Sequence, residues 1–227
     1  MAFHWIPWRI RRRLQKWFAR PDRFLREVRG VVHVGANDGR ERATYVPLGL
    51  RVLWVEPVPE VFAALQSNVG ALPGHRAVQA LITNQDGAEC ELNVANNQGQ
   101  SSSIFEMKDH KDIWPDVAYS RTLKMRTRTL DSLLRDEGVD AADYDALVMD
   151  TQGAELLVLQ GAERSLRGFR YIKAEAADFE SYAGCCQVRD LQAFLEARGY
   201  REAARLQFAA HPSGGGYYDI VYRRVAG

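Results

Sequence analysis

Strand-like and helix-like segments alternate along the chain from Gly30 almost to its end, and this alternation limits the fold more than any other feature. Short apolar runs at 31–35, 51–56 and 145–150 are typical of buried strands, whereas 59–69 and 188–199 are typical of helices. Strands that alternate with helices predict an α/β fold with a doubly wound, mostly parallel sheet. The last two predicted strands are joined by HPSGGG without a helix, which predicts an antiparallel C-terminal hairpin at one edge.

The remaining segments are less regular. Residues 96–120 are rich in Asn, Gln, Ser and Asp and predict an irregular polar stretch rather than a core element. Asp131 stands at the start of a helix-like segment and is the predicted N-cap. The other predicted elements are strands at 75–83, 88–95, 122–130 and 169–176, and helices at 40–49, 131–138 and 153–166.

The first 28 residues differ in composition from the rest. Five arginines and a lysine between Arg9 and Arg20 are interleaved with Trp5, Trp8 and Trp17, and the apolar residues from Ile10 onward fall on one helical face. We therefore divide the chain into a basic amphipathic helix segment, 1–28, and a single domain, 29–227. The segment is typical of an interfacial anchor or a partner-docking helix, although a terminal helix that packs on the domain has the same pattern.

Charge and cysteine content exclude several classes of partner. The formal net charge is +1, from 30 Lys and Arg against 29 Asp and Glu, so the molecule lacks the overall field of a nucleic-acid binding protein. The three cysteines show no CxxC spacing, which favours reduced thiols and a cytoplasmic location. No apolar run approaches the roughly 20 residues of a membrane span, and the N-terminus lacks the apolar core of a secretory signal. If the basic segment contacts a membrane, we expect weak peripheral attachment at its inner face.

The turn GANDG after the first strand indicates what the sheet binds. A dinucleotide fingerprint, G-x-G-x-x-G, needs a second glycine where this chain has Asn37 and a third where it has Arg40. A side chain at position 37 keeps a diphosphate away, while Gly and Asn still permit a sharp turn. Glu56 ends the next strand 21 residues after Gly35 (56 − 35), where it can accept hydrogen bonds from both ribose hydroxyls. A nucleoside joined to an amino acid without a diphosphate fits this pattern, and S-adenosylmethionine is such a molecule.

Residues that directly follow strands are the candidates for the binding site. In doubly wound sheets the ligand lies outside the carboxyl ends of the strands, near the point where the strand order reverses. Four predicted strand ends carry suitable residues, and we expect them to meet at one edge of the sheet. The cofactor-binding candidates are Gly35, Ala36, Asn37, Asp38, Gly39, Glu56, Pro57, Ile82 and Asp150.

Five motifs taken together resemble the landmarks of a known family. HVGANDG, VEPVPEVF, ANNQGQSSSI, TLDSLL and MDTQGAELLVLQGAE occur in the order found in FkbM-type methyltransferases, a branch of the class I enzymes that depend on S-adenosylmethionine. The resemblance runs from about Val31 to Glu175. It implies a Rossmann-like sheet of seven strands, S-adenosylmethionine as cofactor, and O-methylation of sugar or polyketide hydroxyls. It also places Ser101–Ser103 near the cofactor, which adds Ser102 to the candidates.

One position departs from the family pattern. His33 stands two residues before the first glycine, where such enzymes usually carry an acidic residue that helps to hold the methionine amine. Asp38 and Asp150 are the alternatives for this contact.

Three residues are candidates for catalysis. A sugar hydroxyl is a poor nucleophile at neutral pH, so a nearby carboxylate or histidine is expected to act as general base. Asp150, Glu155 and His110 are the candidates, although Asp150 could be a helix N-cap and Glu155 could merely complement a helix dipole. Glu175, at the end of a further strand, is either part of the site or a buried, satisfied carboxylate. A single histidine beside acids on a polar stretch is typical of a solvated loop, so no metal site is expected at His110.

These observations predict an S-adenosylmethionine-dependent methyltransferase that O-methylates a hydroxyl of a sugar, glycan or other secondary metabolite. Its partner would be a small-molecule or glycan acceptor. Two other classes stay open. A nicotinamide-dependent oxidoreductase is opposed by Asn37 and Arg40, and a catalytically idle nucleoside-binding protein on the same fold is kept open by His33. The acceptor and the oligomeric state are not determined by these patterns.

Overall fold

A computed structural model describes residues 21–225, which contain ten strands and five α-helices. The strands are β1 (Gly30–Val34), β2 (Arg51–Glu56), β3 (His75–Gln79), β4 (Leu81–Ile82), β5 (Glu89–Ala95), β6 (Tyr119–Arg128), β7 (Ala146–Met149), β8 (Tyr171–Ala177), β9 (Tyr200–Ala210) and β10 (Gly216–Arg224). The α-helices are α1 (Arg42–Tyr45), α2 (Pro59–Val69), α3 (Leu130–Asp136), α4 (Glu155–Gln160) and α5 (Val188–Glu196). Short 3-10 helices occur at Arg23–Glu27, Val46–Leu48, Asp109–Asp112, Ala141–Asp143 and Ser165–Arg167.

Seven strands form the main sheet, in the order β3-β2-β1-β7-β8-β10-β9. The five strands β3, β2, β1, β7 and β8 are parallel to one another, and β10 runs antiparallel to both β8 and β9. The predicted Rossmann-like sheet of seven strands with an antiparallel C-terminal hairpin is therefore confirmed. The chain starts at the centre with β1, moves to one edge and returns at β7, so the strand order reverses between β1 and β7.

Helices cover both faces of this sheet, because side chains of a strand alternate between its faces. Val32 and Val34 of β1 belong to a core with α3, α4 and α5, whereas Val31 packs with α2 on the other face. Phe24 and Leu25 of the first 3-10 helix are buried in that second core. The last residues of the predicted 1–28 segment thus pack on the sheet. The basic stretch 1–20 lies outside the described residues, and the division into segment and domain stays a prediction.

A second, three-stranded sheet was not predicted as such. It has the order β4-β6-β5, with β4 parallel and β5 antiparallel to β6. The single strand predicted at 75–83 is wrong, because the chain leaves the main sheet at Ala80: β3 pairs with β2, whereas β4 pairs with β6. Val58 and Val61 at the start of α2 share a buried cluster with Leu81 and Leu92, which fixes the small sheet against the main one.

Two helix predictions need correction. The helix predicted at 153–166 is reduced to α4, because the chain passes close to another segment at Gly161, where an added Cβ would overlap the carbonyl oxygen of Thr83. The N-cap of α3 is Thr129 instead of Asp131: the Thr129 side chain accepts a hydrogen bond from the Ser132 amide. Asp131 instead accepts from the amides at 164 and 165 in a neighbouring turn. None of the helices in the described part combines the length and the apolar character needed to cross a membrane.

Candidate active site

The turn after β1 brings two other segments close to its backbone. Gly35 has a φ of +78°, and a Cβ there would overlap the carbonyl oxygen of Asp150 at the end of β7. Gly39 has a φ of +73°, and a Cβ there would lie 2.7 Å from Leu65 of α2. Asn37 adopts a φ of 45°, as its place in the turn requires. The two glycines of GANDG therefore have separate tasks: one lets β1 and β7 end side by side, and the other lets the turn pack on α2.

Glu56 connects this turn to the end of β2. Its Oε2 atom accepts a hydrogen bond from the Asn37 amide at 2.9 Å, and its Oε1 atom accepts one from the Val58 amide at 3.0 Å. Only 5% of Glu56 is exposed, and this burial raises the pKa of its carboxyl to about 7 against the lowering effect of the two amides. Each carboxylate oxygen can accept more than one hydrogen bond, so Glu56 can hold the turn and still accept from a diol.

A polar loop closes over the turn from the side of the small sheet. The Asn37 side-chain amide donates to the Gln98 carbonyl at 3.1 Å, and the Ser103 hydroxyl donates to the Gln152 carbonyl at 2.7 Å. The Ser102 hydroxyl accepts from the Ala95 amide at 3.1 Å, which fixes the base of the loop. The segment 96–104 thus joins the turn after β1 to the turn after β7, a task that its composition does not reveal.

The turn after β7 is built around two carboxylates that face different surroundings. Glu155 is 1% exposed and accepts hydrogen bonds from the Thr151 amide at 2.8 Å and from the Gly153 amide at 3.1 Å. It therefore stabilises the turn from its buried side. Within residues 21–225 the Asp150 carboxylate accepts a hydrogen bond only from the Gln152 side chain, at 2.5 Å, and it does not cap α4, whose N-cap is Ala154. Burial, followed by the negative charge of Glu155, raises the pKa of Asp150 well above its usual range.

The strands next to β7 in the main sheet, β8 and β10, also carry charged residues near Asp150. The strand register places Glu175 of β8 beside the end of β7 and directly opposite Asp219 of β10. We call Asp150, Glu175 and Asp219 the carboxylate row. Lys173 lies on β8 two residues before Glu175, with its Nζ atom 2.9 Å from Asp22 and 3.3 Å from Asp219. Burial would lower the pKa of Lys173, but the charges of Asp219 and Asp22 outweigh it and raise that pKa.

These parts surround one cavity of about 490 Å³ at the carboxyl ends of the strands. Of the cofactor-binding candidates, all except Gly39 line it: Gly35, Ala36, Asn37, Asp38, Glu56, Pro57, Ile82, Ser102 and Asp150. Residues from all four predicted strand ends therefore line one cavity, but Ile82 reaches it from β4 of the small sheet and not from an edge of the main sheet. Gly39 lies behind the turn against α2. Lining residues with no sequence signal of their own include Asp22, Glu41, Lys173 and Asp219, which reach the cavity only because β8, β10 and the first 3-10 helix adjoin it.

The charge of the cavity is strongly acidic. Seven acidic residues line it, against the two basic residues Arg40 and Lys173. The acidic ones are Asp22, Asp38, Glu41, Glu56, Asp150, Glu175 and Asp219. This excess of carboxylates suits a cationic ligand. It disfavours a diphosphate, because like charges at close range destabilise each other. A sulfonium with a nucleoside and an amino acid fits this chemistry.

The other two catalytic candidates lie apart from the cavity. Glu155 does not line the cavity; it borders a small neighbouring void that Asp150 and Glu175 also line. His110 is 2% exposed and lies in an aromatic cluster with Trp114, Tyr182 and Tyr217, where burial lowers its pKa to about 4. Its neighbour Asp112 pairs with His211 at 3.1 Å rather than with His110. The structure therefore brings Asp150 to the cavity but not Glu155 or His110.

Fold and cavity together define a class of protein. M. capricolum TrmK in complex with S-adenosyl-homocysteine shares the fold with a TM-score of 0.51 and 8% identity, covering 90% of this chain and 67% of that one. The METTL16 MTase domain also has a TM-score of 0.51, with 13% identity over 97% of this chain and 70% of that one. The fold is that of Rossmann-like methyltransferases.

The family is more specific. The Methyltransferase FkbM domain matches residues 33–202, and the chain belongs to this family. Among curated proteins, 2-O-methyltransferase NoeI of Sinorhizobium fredii (strain NBRC 101917 / NGR234) is 28% identical over 167 residues, which is 70% of this chain and 68% of that protein. The protein is thus a methyltransferase, and S-adenosylmethionine is the cofactor of its family, as the sequence predicted.

Proposed function

We propose that this protein is an O-methyltransferase that transfers the methyl group of S-adenosylmethionine to a hydroxyl of a sugar, glycan or related metabolite. The observation that carries the proposal is the acidic cavity at the strand switch point, with Glu56 at one end and the carboxylate row at the other. Oxygen as the accepting atom is supported by the similarity to NoeI, which is a 2-O-methyltransferase. The sugar or glycan class of the acceptor follows from the motif resemblance of the sequence.

Individual residues have distinct places in this proposal. Glu56 accepts hydrogen bonds from the ribose, and the apolar residues Leu81, Ile82 and Leu92 line the same end of the cavity, where they suit the adenine ring. The cofactor supplies an electrophilic methyl group, and the chain's contribution is alignment of that group with the acceptor, which is worth several kcal/mol in such displacements. Of the three catalytic candidates, only Asp150 is among the residues that line the cavity, which supports a contact of Asp150 with cofactor or acceptor.

A labelling experiment tests this function. The protein is incubated with S-adenosylmethionine labelled in its methyl group and with a carbohydrate extract, and the products are treated with mild alkali. We expect the label to stay on the carbohydrate, because methyl ethers resist mild alkali and methyl esters do not. Glu56→Ala, which removes the ribose contact, is the matched control and should lose most of the incorporation. Label released by alkali would contradict O-methylation of a hydroxyl.

The two rival classes give different results. A nicotinamide-dependent oxidoreductase would bind NAD, which Asn37 and the acidic cavity disfavour. An idle binding protein would bind S-adenosylhomocysteine but incorporate no label with any acceptor fraction. Equilibrium binding of NAD and of S-adenosylhomocysteine, measured beside the labelling, separates these outcomes.

We also propose that the protein works in the cytoplasm with weak, reversible attachment to the inner membrane face. The basic and aromatic composition of residues 1–20 supports the attachment, since each cationic residue near an anionic surface contributes about 1 kcal/mol. The cysteines Cys90, Cys185 and Cys186 are free, which agrees with a reducing compartment.

A further inference from the structure

His33 stands two residues before Gly35, where the family resemblance leads us to expect an acidic residue. It is 3% exposed, stacks on Trp54 at 5.3 Å between ring centroids, and has its Nδ1 atom 3.2 Å from the Tyr45 hydroxyl. Burial, helped by the charge of Lys173, lowers the pKa of His33 to about 3. The imidazole is therefore neutral at physiological pH and cannot balance an ammonium group.

The same cavity offers negative charge one strand further along. Lys173 compensates Asp22 and Asp219, to which it is paired at 2.9 and 3.3 Å. Neither Asp150 nor Glu175 has a salt-bridge partner among the described residues, and the Glu175 side chain makes no hydrogen bond there. Two neighbouring carboxylates without a cation are unfavourable in a partly buried place, because their charges repel each other. A ligand cation placed between them would relieve this repulsion.

The position of Glu56 fixes which end of the cofactor reaches these carboxylates. Neighbouring strands lie about 4.8 Å apart, so Glu56 on β2 and Glu175 on β8 are separated by three strand intervals, roughly 14 Å. If the ribose lies at Glu56, the amino-acid end extends past the turn at Gly35 toward β7 and β8. It then meets the part of the cavity that holds Asp150, Glu175 and Lys173.

We propose that Asp150 and Glu175 together bind the ammonium group of the cofactor's amino-acid end, and that Lys173, held by Asp22 and Asp219, faces its carboxylate. This inference rests on the proposed function; it assigns a role to Glu175, whose place in the site the sequence left open, and to Lys173, which no motif indicates. It makes Asp150 a cofactor ligand instead of the general base. Asp150 after β7 and Glu175 on β8 supply the negative charge that the neutral His33 cannot.

Two ligands that differ only in the amino-acid end test the proposal. S-adenosylhomocysteine carries the ammonium and carboxylate, whereas 5′-methylthioadenosine keeps the nucleoside and thioether but lacks both. Calorimetric titrations compare the full-length protein with Asp150→Asn, Glu175→Gln and Lys173→Met. We expect each variant to weaken S-adenosylhomocysteine at least tenfold and to change 5′-methylthioadenosine less than twofold. Lys173→Arg should recover part of the lost affinity, because it restores the positive charge.

Two further variants serve as controls. Glu56→Gln should weaken both ligands by similar factors, because both contain the ribose. Glu91→Gln removes an exposed carboxylate on β5, far from the row in the fold, and should change neither. Melting temperatures of all variants confirm that the titrated protein is folded.

The outcomes separate this inference from the proposed function. If the unaltered protein binds neither ligand, the proposed function fails and the inference fails with it. If it binds both, and the row variants change the two affinities equally or not at all, the inference alone is overturned. Selective loss of S-adenosylhomocysteine affinity supports it.

Discussion

Glu56 illustrates how a single buried carboxylate can both hold a turn and keep capacity for a ligand. Its two oxygens each accept one backbone amide, from Asn37 and Val58, and both retain a free lone pair. The amides lower the pKa of its carboxyl, yet burial dominates and raises that pKa to about 7. Without a ligand, the two amides therefore do not fully offset the burial of the ionised carboxylate. Ionisation of Glu56 lowers the free energy of unfolding.

This residue should make stability depend on pH. The folded pKa of Glu56, about 7, lies above its ordinary value of 4.5, so its contribution is fully present below pH 4.5 and is lost as the pH rises through 7. At about 1.4 kcal/mol per pKa unit, a rise from 4.5 to about 7 makes the loss at most roughly 3.5 kcal/mol. Glu56→Gln should remove it, so the variant gains stability relative to the unaltered protein between pH 5 and pH 8.

Urea unfolding of both proteins across this pH range measures the difference between their free energies of unfolding. The contributions of the carboxylates that both proteins contain cancel in this difference. Glu91→Gln, at an exposed position, should run parallel to the unaltered protein. Parallel curves for Glu56→Gln as well would show that Glu56 is ionised at no cost.

At the scale of elements, the start of α3 combines a local cap with contacts from other segments. Thr129 caps α3 through the Ser132 amide at 3.1 Å, and Asp86 from the loop after β4 accepts from the Thr129 amide at 2.7 Å. Asp131, inside the first turn, holds the segment after α4 instead. The order of these acceptors along the chain does not reveal which one caps the helix.

Thr129→Ala should destabilise the protein by about 1 kcal/mol, because the Ser132 amide loses its side-chain acceptor. Thr122→Ala, at an exposed position on β6, is the matched control and should stay within about 0.5 kcal/mol. Denaturant unfolding of the two variants checks this. Equal small effects would mean that Asp86 alone holds the start of α3.

At the scale of the whole molecule, a net charge of +1 conceals a strong separation of charge. The cavity collects seven acidic residues against two basic ones, whereas residues 1–20 contain six basic residues and no acidic one. The acidic part suits a cationic cofactor, and the basic part suits an anionic surface. The average charge of the chain predicts neither.

Removal of the basic segment should abolish membrane attachment. Full-length protein is expected to sediment with anionic vesicles at low salt, and a chain that starts at Asp22 is expected to stay in the supernatant. The shorter chain keeps Phe24, Leu25 and Val28, so its core is intact. Vesicles of neutral lipid and a high-salt buffer are the controls, because electrostatic attachment disappears in both. Equal sedimentation of the two chains would assign the attachment elsewhere.

The sequence by itself determined most of the alternation of strands and helices, the turn at Gly35–Gly39, Glu56 as a residue of the cavity, and the family. These features depend on local periodicity and on residues close in the chain, such as Glu56, whose side chain bonds the Asn37 amide. The tertiary structure decided what depends on contacts between distant segments. It split the predicted strand at Ala80, and it placed Glu155 beneath a turn and His110 among aromatic rings. It also brought Lys173, Glu175 and Asp219 to the cavity, because a strand's neighbours in a sheet are set by the packing of the whole chain and not by sequence order.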